Sequence, residues 1–76
     1  MTEKQRDEII CALESINNNK PTLEQGEGYN EECELRNTLL IEEIMPIVEK
    51  MGINWYSVHG EICALFCLFV FIEYPE

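Results

Sequence analysis

From Ile62 to Ile72 the chain reads ICALFCLFVFI, eleven residues without a polar break. A helix on the surface of a small protein needs only one apolar stripe. A segment that is apolar on every side must be surrounded, by its own chain, a second copy, a partner or lipid. With only 76 residues to do the covering, the chain is short of material. A domain of this size buries about 60% of the surface that its unfolded form exposes. Association is therefore the first expectation, with a homodimer as its simplest form. Leu65, Phe66, Phe69 and Val70 are the candidate association residues.

The rest of the chain is acidic. Fifteen Asp and Glu residues stand against five Lys and Arg, for a net charge of −10. Such a field repels phosphates, so direct binding to nucleic acid is disfavoured and a basic protein partner is favoured. Charge of this kind also keeps an apolar surface in solution. The four cysteines, Cys11, Cys33, Cys63 and Cys67, follow a start with no apolar leader. That combination points to reduced thiols in a cytoplasm, and three of the four sit in apolar surroundings that suit small buried residues.

Three helical segments are expected in a single domain over 1–76. In the first, Thr2 can cap, and Ile9, Ala12, Leu13 and Ile16 recur at helical spacing up to about Asn17. Residues 18–29 form a connection with breakers at Pro21, Gly26 and Gly28, and with a single possible turn at Thr22–Gln25. This connection is expected to be mobile. The second segment runs from a cap at Asn30 to Met51. Its apolar stripe comprises Leu35, Leu39, Leu40, Ile44, Ile47, Val48 and Met51, Glu32 and Arg36 are spaced as a helical pair, and Gly52 stops it. Pro46 should kink or break this helix near Met45. The third starts at Asn54 or Ser57, carries Trp55, Val58, Ile62, Leu65, Phe66 and Phe69 on one face, and ends at Pro75. The expected class is an all-α bundle of about three helices. The alternative is α+β, with Ile53–Val58 and the apolar run as a C-terminal hairpin. Length favours the helix, since strands rarely exceed ten residues.

No catalytic constellation is legible and no cofactor is expected. His59, Cys63 and Cys67 lie at i, i+4 and i+8, so on a helix they share a face. They are the weak metal candidates, but zinc sites draw close ligand pairs from turns, and packing explains the cysteines better. A Cys–His nucleophile lacks an oxyanion loop and an orienting group. The pairs Glu31-Glu32 and Glu42-Glu43 read as a solvated face. Trp55 and Tyr74 bracket twenty residues in the manner of an aromatic belt, which raises a tail anchor as an alternative. Against it, Gly60 and Glu61 would lie inside the span.

The expected function is that of a small acidic interaction module without enzymatic activity. Its composition, rich in Asn, Ile and Glu, is a style common among phage and mobile-element products that inhibit host machinery. Such an inhibitor occupies a basic, nucleic-acid-binding surface with carboxylates where phosphates stand. Glu31, Glu34, Glu42 and Glu49 are the candidate partner-binding residues. The alternative is a structural or adaptor subunit that assembles through its apolar helix.

Overall fold

The computed structural model describes residues 1–74. The first helix, α1, spans Glu3–Asn18. Its start is fixed by reciprocal bonds. The Thr2 hydroxyl accepts from the Gln5 amide at 3.2 Å, and the Gln5 side chain accepts from the Thr2 amide at 2.8 Å. This capping box satisfies two amides that the first turn leaves without partners. The chain leaves α1 through Lys20, which sits in the left-handed region at φ 52°.

A second rod follows in three pieces: α2 (Tyr29–Leu39), a π-helical turn (Leu40–Ile44) and α3 (Met45–Lys50). It begins one residue before the expected cap at Asn30. Glu31 reaches back to accept the Gly28 amide at 2.9 Å, and that bond makes Gly28 the cap. The kink or break expected near Met45 takes the form of this π turn, which interrupts the α-helical ladder just before Pro46. In a regular α-helix the proline ring would strike the Glu42 carbonyl. Here the Met45 amide bonds back five residues, to Leu40. The turn before the proline is widened and the rod continues through it. The wide turn has a second effect. Residues four apart drift around a regular helix, and the π turn reverses that drift once. Leu40, Ile44 and Val48 therefore all reach the core. Met51 and Gly52 end the rod, with Gly52 at φ 80°.

The last helix, α4, spans Trp55–Phe69, capped by the Asn54 side chain, which accepts the Tyr56 amide at 3.0 Å. The fold is thus all-α, three rods with no strand among the described residues. The hairpin alternative over 53–72 fails because the apolar run up to Phe69 is helical. Pro75, expected to end this helix, lies outside the described residues. The helix stops earlier, at Val70, whose backbone is extended.

Beyond Val70 the chain is tethered to distant parts. The Phe71 amide donates to the Asn17 side-chain oxygen at 2.9 Å. The Leu23 amide donates to the Glu73 carbonyl at 3.0 Å, and the Glu73 amide to the Pro21 carbonyl at 2.8 Å. These two bonds form an isolated parallel bridge between Thr22 and Glu73. The connection after α1 is therefore anchored at this end, with Leu23 buried. The helical turn expected at Thr22–Gln25 does not form.

The core is built from three helical stripes. Ile9, Leu13 and Ile16 come from α1, and Leu40, Ile44 and Val48 from the second rod. Val58, Ile62, Leu65, Phe66 and Val70 come from α4 and the residue after it. α1 packs on α4 and on the π turn, and α3 packs on α4. No residue of α2 itself is fully buried. The N-terminal half of the second rod thus lies against the bundle without entering its centre. The apolar run is covered on one side only: Leu65 and Phe66 face inward, while Leu68 is 68% and Phe71 65% exposed.

Candidate acidic interaction surface

The four expected partner-binding residues, Glu31, Glu34, Glu42 and Glu49, are all exposed. Three of them line two adjoining depressions along the second rod. One, of about 410 Å³, is bounded by Glu34, Asn37, Thr38, Ile41 and Glu42. The other, of about 330 Å³, is bounded by Glu24, Glu27, Glu31 and Glu34 with Thr22, Leu23, Leu35 and Thr38. Glu34 and Thr38 border both. Five carboxylates thus converge on a continuous flank, and neither lining includes a lysine or arginine. Glu49, further along on α3, lines neither depression.

Two of these carboxylates are held by backbone amides. Glu27 accepts the Glu24 amide at 2.7 Å, and Glu31 accepts that of Gly28 at 2.9 Å. Bonds from its own amide and from Gly28 hold the Glu31 carboxyl below the usual glutamate range. Glu24 and Glu27 were not singled out from sequence. They lie in a connection whose folding back on α2 depends on the distant pairing of Leu23 with Glu73.

The one base on α2, Arg36, is withdrawn from this flank. Its guanidinium points toward the Cys33 sulfur at 3.8 Å. It lines a different depression of about 280 Å³, with Glu32, Phe66, Cys67, Val70, Phe71 and Ile72. Both members of the expected Glu32–Arg36 pair therefore border one depression. Tyr29 is pushed above its ordinary value, first by its hydrogen bond to Cys33 and then by the charge on that residue, with Arg36 opposing.

A further depression of about 320 Å³ runs between α1 and the second rod, lined by Ala12, Ser15, Ile16, Asn19, Pro21, Leu39, Glu43 and Ile47. Glu43 is its single charged residue, so it lacks the charge density of the acidic flank.

The candidate association residues lie largely inside the molecule. Leu65, Phe66 and Val70 are buried against α1 and the second rod, and Phe69 is half-buried. The chain therefore covers these side chains itself. The apolar groups left outside are their neighbours Leu68 and Phe71. The pattern could not distinguish them, because every position in the run is apolar.

His59, Cys63 and Cys67 follow one another along α4, with His59 and Cys67 exposed and Cys63 half-buried. The His59 Nδ1 lies 3.0 Å from the Tyr56 carbonyl. Among the described residues, no group of three or more His, Cys, Asp or Glu side chains is gathered as a metal site would require. The four cysteines are free thiols, but none is the small buried residue expected: Cys11 and Cys67 are exposed and Cys33 and Cys63 half-buried. The inward positions of α1 and α4 are taken by larger apolar side chains, and no residue of α2 is fully buried. No described helix is long and apolar enough to cross a membrane. At 1.5 Å per residue α4 is roughly 22 Å long, against about 30 Å of hydrocarbon. The bracket from Trp55 to Tyr74 is therefore no span, because helix occupies only part of it.

Comparison with described protein families, with curated proteins and with solved structures finds no match for this chain. The functional reading rests on the geometry of the surface.

Proposed function

We propose that the protein is a non-enzymatic interaction module whose acidic flank binds a basic surface of another protein. The observation that carries this reading is the convergence of Glu24, Glu27, Glu31, Glu34 and Glu42 on adjoining depressions that no lysine or arginine lines. Grouped like charges raise the local potential and draw cationic side chains. Ile41, half exposed between Glu34 and Glu42, adds an apolar floor. A lysine or arginine can lay its stem on Ile41 and set its charge against either carboxylate. A surface that reads phosphates is rich in such side chains, so the partner class is a nucleic-acid-binding protein. An inhibitor from a phage or mobile element acting in a host cytoplasm fits this mode of action.

The test is competition. A partner bound in this way is displaced by DNA or RNA and does not bind the double reversal Glu34→Lys/Glu42→Lys. Both positions are exposed, so circular dichroism should report an unchanged helical content. A partner that binds the reversal variant equally well would leave the flank as a device for solubility. The second reading, a structural or adaptor subunit that assembles through α4, would then take its place, supported by the exposed side chains of Leu68 and Phe71.

A further inference from the structure

The outward side of α4 is unlike the rest of the surface. Opposite the buried Ile62, Leu65 and Phe66 it presents Gly60, Ala64, Cys67 and Leu68, with Phe71 just beyond the helix end, and all five are exposed. Between Glu61 and Glu73 the chain carries no acidic or basic residue. On a molecule of net charge −10 this is a neutral, apolar strip.

We propose that a second copy of the chain covers this strip, with α4 packed antiparallel on its twofold mate about Ala64. This inference is independent of the acidic flank, which lies on a different helix. Three features select a second copy as the occupant. The first is charge. Two copies repel one another over most of their surfaces, and the strip is where they can meet without opposing carboxylates. A basic partner would find no charge there to hold it. Antiparallel pairing about Ala64 sets Glu61 opposite Cys67 of the mate and keeps Glu61 away from the mate's Glu73. The second is shape. The small residues Ser57 and Gly60 lie toward one end of the strip, bordered by the exposed Tyr56, and the large Leu68 and Phe71 toward the other. The twofold sets Leu68 over the mate's Gly60 and brings Phe71 toward its Ser57, large against small on both sides. Such self-complementarity is what an isologous contact requires. The third is open space. A side chain added at Gly60 meets no atom of its own chain within 4 Å, so the surface there is open to an approaching Leu68.

The contact is small. A strip about 20 Å long and one helix wide buries well under the ~800 Å² per partner of a standard interface. The pair is accordingly weak, with a dissociation constant on the order of 100 µM. It should tighten with added salt, which screens the repulsion between the two acidic bodies.

Sedimentation equilibrium of the whole chain from about 10 µM to 1 mM tests this. The expected result is a monomer–dimer equilibrium that strengthens with salt and weakens about tenfold or more in Leu68→Glu. Gly60→Leu is the second variant. It should raise helical stability, because leucine is a better helix former than glycine, yet weaken the dimer by occupying the place of the mate's Leu68. Mild oxidation sets the register. Ala64→Cys, with Cys11 and Cys67 changed to serine, should form a disulfide across the twofold. Cys67 in the parent should not link to its mate, being offset by roughly 9 Å along the axis, beyond disulfide reach. A monomer at 1 mM, a dimer untouched by Leu68→Glu and Gly60→Leu, or a Cys67–Cys67 link would overturn the proposal.

Discussion

The Asn17 side chain, at the end of α1, accepts the amide of Phe71 across 54 positions of sequence at 2.9 Å. This bond fixes where the chain goes after α4. The tail then meets the connection at Leu23 and Glu73, and that pairing positions the acidic connection against α2. A single long-range polar contact at one end of the bundle thus supports the flank on which the functional reading rests.

Asn17→Ala should leave the Phe71 amide without its partner. A net loss of about 1 kcal/mol is expected, or roughly 4–8 °C in melting temperature for a domain of this size. Hydrogen exchange should speed up at Phe71, Leu23 and Glu73 and stay unchanged at the centre of α1. Slow exchange at those three amides in the variant would show that the tail is held by packing alone.

Phe66 and Leu68 are two residues apart and should behave oppositely. Phe66 is 1% exposed. Its replacement by alanine should cost about 3–5 kcal/mol, a large part of the stability of a small domain. Leu68→Ala should change stability by less than about 0.5 kcal/mol, as at other surface sites. Urea denaturation of the two variants compares them directly. Equal losses would mean that Leu68 is packed.

Much of the fold was legible from local chemistry. Thr2 and Asn54 cap the helices they were expected to cap, Gly52 stops the second rod, and the apolar stripes of α1 and α4 enter the core. What was not legible depends on distant or compensating contacts. No local signal ends α4 at Phe69; the extended tail is held by Asn17 and Pro21, far away in sequence. Pro46 marks where the α-helical ladder is interrupted; that the interruption is one widened turn, which absorbs the ring clash without ending the rod, leaves no mark in composition. On the acidic flank, Glu31, Glu34 and Glu42 were readable from helical spacing. Glu24 and Glu27 join them only through the fold of the connection. The inward and outward sides of Ile62–Ile72 could not be separated, since an unbroken apolar run has no periodicity to read.

Pro46→Ala tests the widened turn. In a regular helix interior, proline is about 3 kcal/mol worse than alanine. If the π turn has already relieved the clash, the variant should gain less than about 1 kcal/mol. A gain near the full value would show that the proline remains strained.

The Glu31 carboxyl sits below the usual glutamate range because amides donate to its ionised form. A lowered folded-state value contributes stability above the unfolded value, and that contribution is lost as pH falls through the folded one. The residue is exposed, so the effect is small. The stability difference between the parent and Glu31→Gln should be constant near neutral pH and shrink as pH drops below the ordinary glutamate value. A difference that grows toward acid would contradict the assignment.

The most direct test of the acidic flank is the salt dependence of partner binding. The chain is immobilised, a basic partner is recovered from extract of the natural host, and the purified pair is titrated at about 50 and 200 mM salt. Exposed charges are screened beyond about 8 Å at physiological ionic strength. Affinity should therefore fall about tenfold or more across that range for the parent, and Glu34→Lys/Glu42→Lys should not bind. Affinity that is flat with salt and the same in the reversal variant would contradict recognition by the acidic flank.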